Sequence, residues 1–193
     1  MNEQEQFWAG DGGDAYTERN RYDWRMRIPF WKSIIDKTGA RSVYEFGCNV
    51  GYNLSAIRRA FPDVQVRGHD INLVAAIYAK CAGLNVERAQ DRPLGVHSEL
   101  SFTAGVLIHI APENLRAFMQ RVIDASSGWV LAVEYDVDIH LVSQEVEYRG
   151  RTGLLWRRDY GALYENMGLQ LAEKTFLARP AFDNCHAWLM RKP

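Results

Sequence analysis

Hydrophobic positions along the chain switch repeatedly between a helical period and a strand period. At residues 28–37, Phe30, Trp31, Ile34 and Ile35 recur at helical spacing, and Thr38-Gly39 ends the pattern. Residues 41–46 then form a short apolar run, the first predicted strand. Leu54, Ile57 and Phe61 return to helical spacing until Pro62-Asp63 breaks it. Over 64–70 apolar and polar residues alternate, which predicts a second strand ending in Asp70. A helix over 73–81 follows, with Asn72 as its N-cap and Gly83 as its C′ residue. Residues 84–88 predict a short third strand and 100–108 a buried fourth. Pro112 suits the first position of a helix whose Leu115, Phe118, Val122 and Ile123 share one face. A fifth strand over 128–135, a helix over 159–167 stopped by Gly168, and two strands over 169–177 and 185–190 complete the pattern.

Five strands alternating with helices predict a parallel α/β sheet with right-handed crossovers and helices on both faces. The last pair reads as a hairpin, so the last strand runs antiparallel in a seven-stranded, mostly parallel sheet. Two segments fall outside this rhythm. Residues 1–27 hold no clean period: Phe7-Trp8 is an aromatic pair, Gly10-Asp11-Gly12-Gly13-Asp14 reads as a turn cluster, and Tyr16, Arg19, Asn20, Arg21, Tyr22 and Trp24 crowd together. This segment is either a helix packed on the domain or a lid that closes over a ligand and excludes water. Residues 136–158 read as a polar, Arg-bearing insertion. At 193 residues the whole chain fits one domain.

Composition narrows the function classes. An apolar fraction of 47% is ordinary for a protein with a proper core, and a formal net charge of −1 argues against a nucleic-acid binder. No apolar run is long enough to cross a bilayer, and the acidic, polar start is unlike a secretory signal. Cys48, Cys81 and Cys185 are scattered and odd in number, which fits a reducing cytoplasm. No Cys or His pair has metal-ligand spacing, so no metal is expected.

The chemistry concentrates in Ser42-Val43-Tyr44-Glu45-Phe46-Gly47-Cys48-Asn49-Val50-Gly51-Tyr52-Asn53, a strand running into a glycine-bearing turn and a helix N-terminus. That is a nucleotide-binding geometry, in which glycine lets the backbone approach a ligand closely. Asp70 follows about twenty residues later, the spacing at which a carboxylate accepts hydrogen bonds from a ribose diol. The turn reads Glu45-x-Gly47-x-x-x-Gly51 rather than Gly-x-Gly-x-x-Gly. Without the first glycine the tight cradle for a pyrophosphate is missing, which disfavours a nicotinamide-dependent oxidoreductase. An acid in the turn, Glu45, instead suits a cationic methionine amine, directly or through water. Sheet pattern and turn together describe the Rossmann-like class I fold of S-adenosyl-L-methionine-dependent methyltransferases.

Four segments carry a more specific resemblance. They are Gln4-Glu5-Gln6-Phe7-Trp8 with Gly13-Asp14-Ala15-Tyr16-Thr17-Glu18-Arg19-Asn20; Glu45 through Leu54; Gly105-Val106-Leu107-Ile108-His109-Ile110; and Glu147-Tyr148-Arg149-Gly150 with Arg158-Asp159-Tyr160. Through them nearly the whole chain resembles the methylases associated with pseudaminic acid biosynthesis. The family pattern leads into His109 with an Asp-Leu-Val-Phe-Thr-Lys run, whereas this chain reads Glu99-Leu100-Ser101-Phe102-Thr103-Ala104 and lacks the lysine.

Roles follow for individual residues. Gly47, Asn49 and Gly51 would shape the methionine and ribose end of the donor, Asp70 would hold the ribose hydroxyls, and Ile71 would lie against the adenine. Gly105, opening the third family-like segment, joins this donor set. Asp91 is the candidate for the adenine amino group, or else a surface partner of Arg92. In the lid, Trp8, Tyr16, Arg19 and Asn20 are donor-binding candidates; Arg19 is favoured for the donor carboxylate, with Tyr16 as alternative. His109 is either a general base or a side chain that orients the following helix. Glu134 is an alternative base, a substrate-amine ligand, or a partner for an arginine of the insertion. Tyr135, Arg149 and Arg158, with Arg151 and Arg157 nearby, suit an anionic acceptor, or form a solvated charged loop. The expectation is a cytoplasmic O- or N-methyltransferase, monomer or homodimer, acting on a small polar anionic metabolite such as a sugar, amino acid or related intermediate. A nicotinamide-dependent oxidoreductase and a non-catalytic donor-binding protein are the alternatives, and RNA methylation is disfavoured by charge.

Overall fold

A computed structural model of the chain describes residues 1–89, 97–137, 141 and 143–193. The N-terminal segment folds into helices α1 (Glu3–Ala9) and α2 (Asp11–Arg19) and a 3₁₀ turn at Trp24–Arg27. Asn2 and Glu5 form a capping box at the start of α1, each side chain accepting from the other's backbone N–H at 2.8 and 2.9 Å. The expected turn at Gly10 to Asp14 is helical from Asp11 onward. Its glycines serve close packing: a Cβ on Gly13 would stand 2.0 Å from the Trp8 carbonyl oxygen, and one on Gly12 2.4 Å from the Phe7 ring.

Apart from two short strands that the sequence reading did not predict in the insertion, the remaining elements follow the predicted order: α3 (Ile28–Thr38), β1 (Ser42–Phe46), α4 (Tyr52–Ala60), β2 (Gln65–Asp70), α5 (Leu73–Cys81), β3 (Asn85–Arg88), β4 (Ser98–Ala104), α6 (Pro112–Asp124), β5 (Ser126–Glu134), β6 (Ser143–Glu145), β7 (Trp156–Arg158), α7 (Tyr160–Glu165), β8 (Gln170–Leu177) and β9 (Cys185–Arg191). Seven strands form one sheet in the order β3-β2-β1-β4-β5-β9-β8. β1 to β5 pair in parallel and β9 runs antiparallel to both its neighbours. The inserted β6 and β7 make a separate antiparallel pair.

The strand boundaries of the sheet differ from the sequence reading by about one or two residues, except at the end of β4. β4 stops at Ala104 instead of continuing to 108, and Leu107–His109 forms a 3₁₀ turn. The cause is Glu134 at the end of β5. Its carboxylate accepts the N–H groups of Val106 and Leu107, both at 3.1 Å, and of Ile108 at 3.3 Å, taking those donors out of the ladder.

Period-2 alternation divides the core between the two faces. Val43, Leu131 and Leu189 pack with Trp31, Ile34, Leu54, Ile57 and Ala76 under α3, α4 and α5. Tyr44, Phe46, Val130, Ala132, Trp188 and Met190 pack with Leu115, Met119, Val122 and Tyr160 under α6 and α7. β1 lies between β2 and β4, so the strand order reverses there and a crevice opens beyond the carboxyl ends of those strands.

Candidate active site

Beyond that crevice lies a cavity of about 730 Å³, within the range that holds a cofactor. Its floor comes from the β1 turn. Gly47 has φ +68, and a Cβ there would stand 2.6 Å from Val106 Cγ2, so only glycine fits both the backbone and the space. Asn49 also takes positive φ, and its side-chain oxygen accepts from Val50 N at 2.6 Å. Gly51, φ +80, caps α4 but faces Leu84 rather than lining the cavity.

Two buried carboxylates line this floor. Asp70 is locked by Asn49 N, donating at 2.6 Å to Oδ2, and by Asn72 N, donating at 2.8 Å to Oδ1. Burial pushes its pKa up to about 6 against the pull of those backbone donors. Ile71, half-buried, lines the cavity immediately after it. Glu45 is 1% exposed; its Oε1 accepts from Asn53 Nδ2 at 2.7 Å. Its Oε2 is buried with no partner among the described residues. Burial raises the Glu45 pKa to about 8, opposed by the Asn53 hydrogen bond and the Arg27 charge.

Asn53 and Arg27 line the cavity beside Glu45, and the sequence reading assigned neither of them to the site. Arg27 Nη1 donates to Asn53 Oδ1 at 2.8 Å and its Nε donates to the Ala181 carbonyl at 2.9 Å. Tyr22 and Phe182 flank the guanidinium at 4.3 and 4.4 Å. The polar Asn within the glycine turn was a usable signal. Nothing in the sequence connects Arg27 to Ala181 and Phe182.

The N-terminal helices roof the cavity. Trp8, Tyr16, Arg19 and Asn20 all line it. Asn20 Nδ2 donates to the Tyr16 hydroxyl at 2.8 Å, and burial pushes that phenol up to about 12. Asn72 Nδ2 donates to Asp14 Oδ1 at 2.7 Å, and Thr17 reaches Asn49 Oδ1 at 3.5 Å. The roof is thus tied to the residues that flank Asp70. Arg19 is exposed and donates through Nη2 to the Tyr148 hydroxyl at 2.7 Å, toward the insertion.

Gly105, φ +71, and His109 form the far wall. His109 Nδ1 lies 2.6 Å from the Leu154 carbonyl oxygen. A carbonyl only accepts, so Nδ1 carries the proton and Nε2 keeps its lone pair. Burial lowers the ring's pKa to about 4. Trp8 and Tyr148 pack on the imidazole with ring centroids at 4.4 and 5.2 Å. Glu134 also lines the cavity, but its oxygens are engaged by three backbone N–H groups, and burial raises its pKa to about 7.

Among the acceptor candidates, Tyr135 and Arg149 line the cavity, and the Tyr135 hydroxyl donates to Asp183 at 2.6 Å. Arg158 does not. It is 2% exposed, and its guanidinium donates to the Leu107 and Ile110 carbonyls, each at 3.0 Å. Those bonds clamp the His109 turn and occupy the donors that an acceptor would need. Asp91 lies outside the described residues. No group of three metal-ligating side chains occurs among the described residues, and none of their helices is long and apolar enough to cross a membrane.

No family model matches the chain, and no curated protein matches it by sequence. Solved structures do match. Magnesium protoporphyrin IX methyltransferase from Synechocystis PCC 6803, solved with bound S-adenosylmethionine, superposes with a TM-score of 0.71 at 11% identity, covering 100% of this chain and 99% of the other. The 1,6-didemethyltoxoflavin-N1-methyltransferase of Burkholderia thailandensis, solved with bound 1,6-didemethyltoxoflavin and S-adenosylhomocysteine, gives 0.71 at 15% identity over 98% and 86%. The sugar N-methyltransferase KedS8 from Streptoalloteichus sp ATCC 53650 gives 0.66 at 14% identity over 95% and 93%. With its seven-stranded sheet and antiparallel last strand, the chain has the Rossmann-like fold of the class I methyltransferases.

Proposed function

We propose that the chain is an S-adenosylmethionine-dependent methyltransferase that modifies oxygen or nitrogen on a small, polar, anionic metabolite. The observation that carries this reading is the unpartnered Glu45 Oε2, buried in the same cavity as the fixed carboxylate of Asp70. An amino-acid ammonium completes the first, and a ribose diol uses the free lone pairs of the second. When bound, the donor supplies a methyl group on sulfonium for in-line displacement.

The chain's own residues then bind, align and exclude water. Glu45 takes the ammonium. Arg27, held between two rings, bonds the same Asn53 that bonds Glu45, so it is the carboxylate ligand beside the ammonium; Arg19 is directed to Tyr148 and the insertion. Asp70 holds the ribose, and Ile71 offers an apolar wall for the base. His109, kept neutral by burial with its Nδ1 proton on Leu154, accepts the acceptor's proton at Nε2. Trp8 and Tyr16 close the roof. The four family-like segments supply three of these surfaces, which supports an acceptor from the sugar-biosynthetic class, and the free Cys48, Cys81 and Cys185 support a cytoplasmic setting. Calorimetry with S-adenosylhomocysteine at micromolar protein tests the reading, and absence of binding would sink it.

A further inference from the structure

We propose that the methyl acceptor carries a phosphoryl group, seated in a second cavity where Arg19, Arg149 and Arg151 converge; this rests on the first cavity being the donor site. The second cavity holds about 620 Å³, enough for a separate moiety. Lid residues Phe7 and Gly10 form one side of it and the insertion forms the other. Arg19, Tyr148 and Arg149 line both cavities, so the two spaces share a wall. The Arg19–Tyr148 hydrogen bond at 2.7 Å lies in that wall.

The charges in the second cavity are unbalanced. Three guanidinium groups line it against one carboxylate, Asp11. None of the three forms an ion pair with a described carboxylate; the ion pairs of the described residues involve other side chains. Arg151 lies over the Phe7 ring at 5.2 Å, a contact that leaves its charge unneutralised. A surplus of two positive charges matches a phosphoryl group, with about −1.5 to −2 charge and three acceptor oxygens, better than one carboxylate.

Backbone geometry points the same way. Tyr148 and Arg151 exchange hydrogen bonds of 2.8 and 3.1 Å across a two-residue turn, with Arg149 at φ +54 and Gly150 at φ +77. Such turns favour Asn or Gly at both central positions, and a long side chain there is strained. An arginine kept at a strained position calls for a function for its guanidinium.

The test is calorimetry on the full chain saturated with S-adenosylhomocysteine, titrated with inorganic phosphate, inorganic pyrophosphate and malonate. The expected result is that a phosphoryl anion binds at least roughly tenfold more tightly than malonate. Preference for phosphate indicates a monoester acceptor, and preference for pyrophosphate a diphosphate. Arg151→Ala should weaken that binding roughly tenfold or more without changing affinity for S-adenosylhomocysteine, because Arg151 does not line the first cavity. Arg149→Gly should weaken it too while raising Tm by relieving the turn. The proposal is overturned if neither phosphoryl anion binds, if malonate binds as well, or if Arg151→Ala leaves anion affinity intact. Failure of S-adenosylhomocysteine itself to bind would refute the donor reading instead. Titration of the donor-free chain and of Arg151→Ala then decides the second cavity on its own.

Discussion

Glu45→Gln probes the donor reading at the buried carboxylate oxygen that lacks a partner. Glutamine keeps the shape and the Asn53 bond, whose orientation is fixed because Arg27 and Trp31 both donate to Asn53 Oδ1. Only the negative charge is lost. Removing one partner of a buried ion pair costs about 3–5 kcal/mol. Against this stands the cost of ionising a group whose pKa is about 8, about 1.4 kcal/mol at pH 7. The net loss is therefore about 1.6–3.6 kcal/mol, or ~15- to ~440-fold in the dissociation constant for S-adenosylhomocysteine. A second readout follows from the same pKa. At pH 7 about nine in ten donor-free molecules hold a proton on Glu45, so binding an ammonium releases about 0.9 proton per site. Calorimetry in buffers of different ionisation enthalpy measures it, and the variant should release almost none. Stability of the donor-free chain provides the control. A carboxyl whose folded pKa is raised stabilises the fold at low pH and loses that contribution as pH rises through about 8. Glu45→Gln should therefore melt higher than the parent at pH 9 and close to it at pH 4. Affinity within about threefold of the parent, or a binding enthalpy independent of buffer, would refute the reasoning.

Asp70 adds a second proton linkage, since its pKa is raised to about 6; donor affinity should fall about tenfold per pH unit between 8 and 6 and about a hundredfold per unit below 6. Asp70→Asn should bind weakly at every pH and lose the steeper limb, as a pH series of titrations will show. Gly13→Ala places a Cβ 2.0 Å from the Trp8 carbonyl oxygen, so α1 and α2 must shift, at about 1–3 kcal/mol. Affinity for S-adenosylhomocysteine should fall roughly 5- to 150-fold while the far-ultraviolet spectrum is retained; unchanged affinity would show that the roof is not needed for binding. Glu134→Gln leaves part of the Val106–Ile108 N–H set without an acceptor, at about 1–3 kcal/mol, and should lower Tm and kcat together with little change in donor affinity. A fall in kcat of about 10²–10⁴ at unchanged Tm would instead make Glu134 the base.

How much of this was legible in the chain depends on the range of the interactions. Alternation along β1, β5 and β9 and helical spacing along α3 and α6 are local, and the sheet follows from them. The donor floor is nearly as local. Glu45, Gly47, Asn49 and Asn53 belong to one strand–turn–helix unit, and Asp70 ends the neighbouring strand. The errors arise where a distant group overrides local pattern. Leu107 and Ile108 have the apolarity of a strand, but Glu134 captures their N–H groups from β5. Gly10 to Asp14 has the composition of a turn, but the glycines serve contact between two helices. Arg158 has the charge of an anion ligand, yet two carbonyls 48 and 51 residues away take its donors. Arg27 was invisible because its partners, Ala181 and Asn53, are 154 and 26 residues distant.

The same contrast separates what the site does from what it acts on. The donor floor is one strand–turn–helix unit, so the common fold carries it largely by itself. The proposed acceptor side is assembled from parts that meet only in the folded chain: the N-terminal helices supply Trp8 and Arg19, the β4–α6 connection supplies His109, and the insertion supplies Tyr148 and Arg149. Trp8 packs on His109 at 4.4 Å, and Arg19 bonds Tyr148 at 2.7 Å. The lid is also tied to the donor floor through Asp14–Asn72 and Thr17–Asn49. A lid that has not docked therefore leaves both the imidazole wall and the shared arginine wall incomplete. On the proposed reading, specificity for the acceptor therefore depends on docking of the N-terminal helices, whereas recognition of the donor's amine and ribose would rest on the strand ends beneath them.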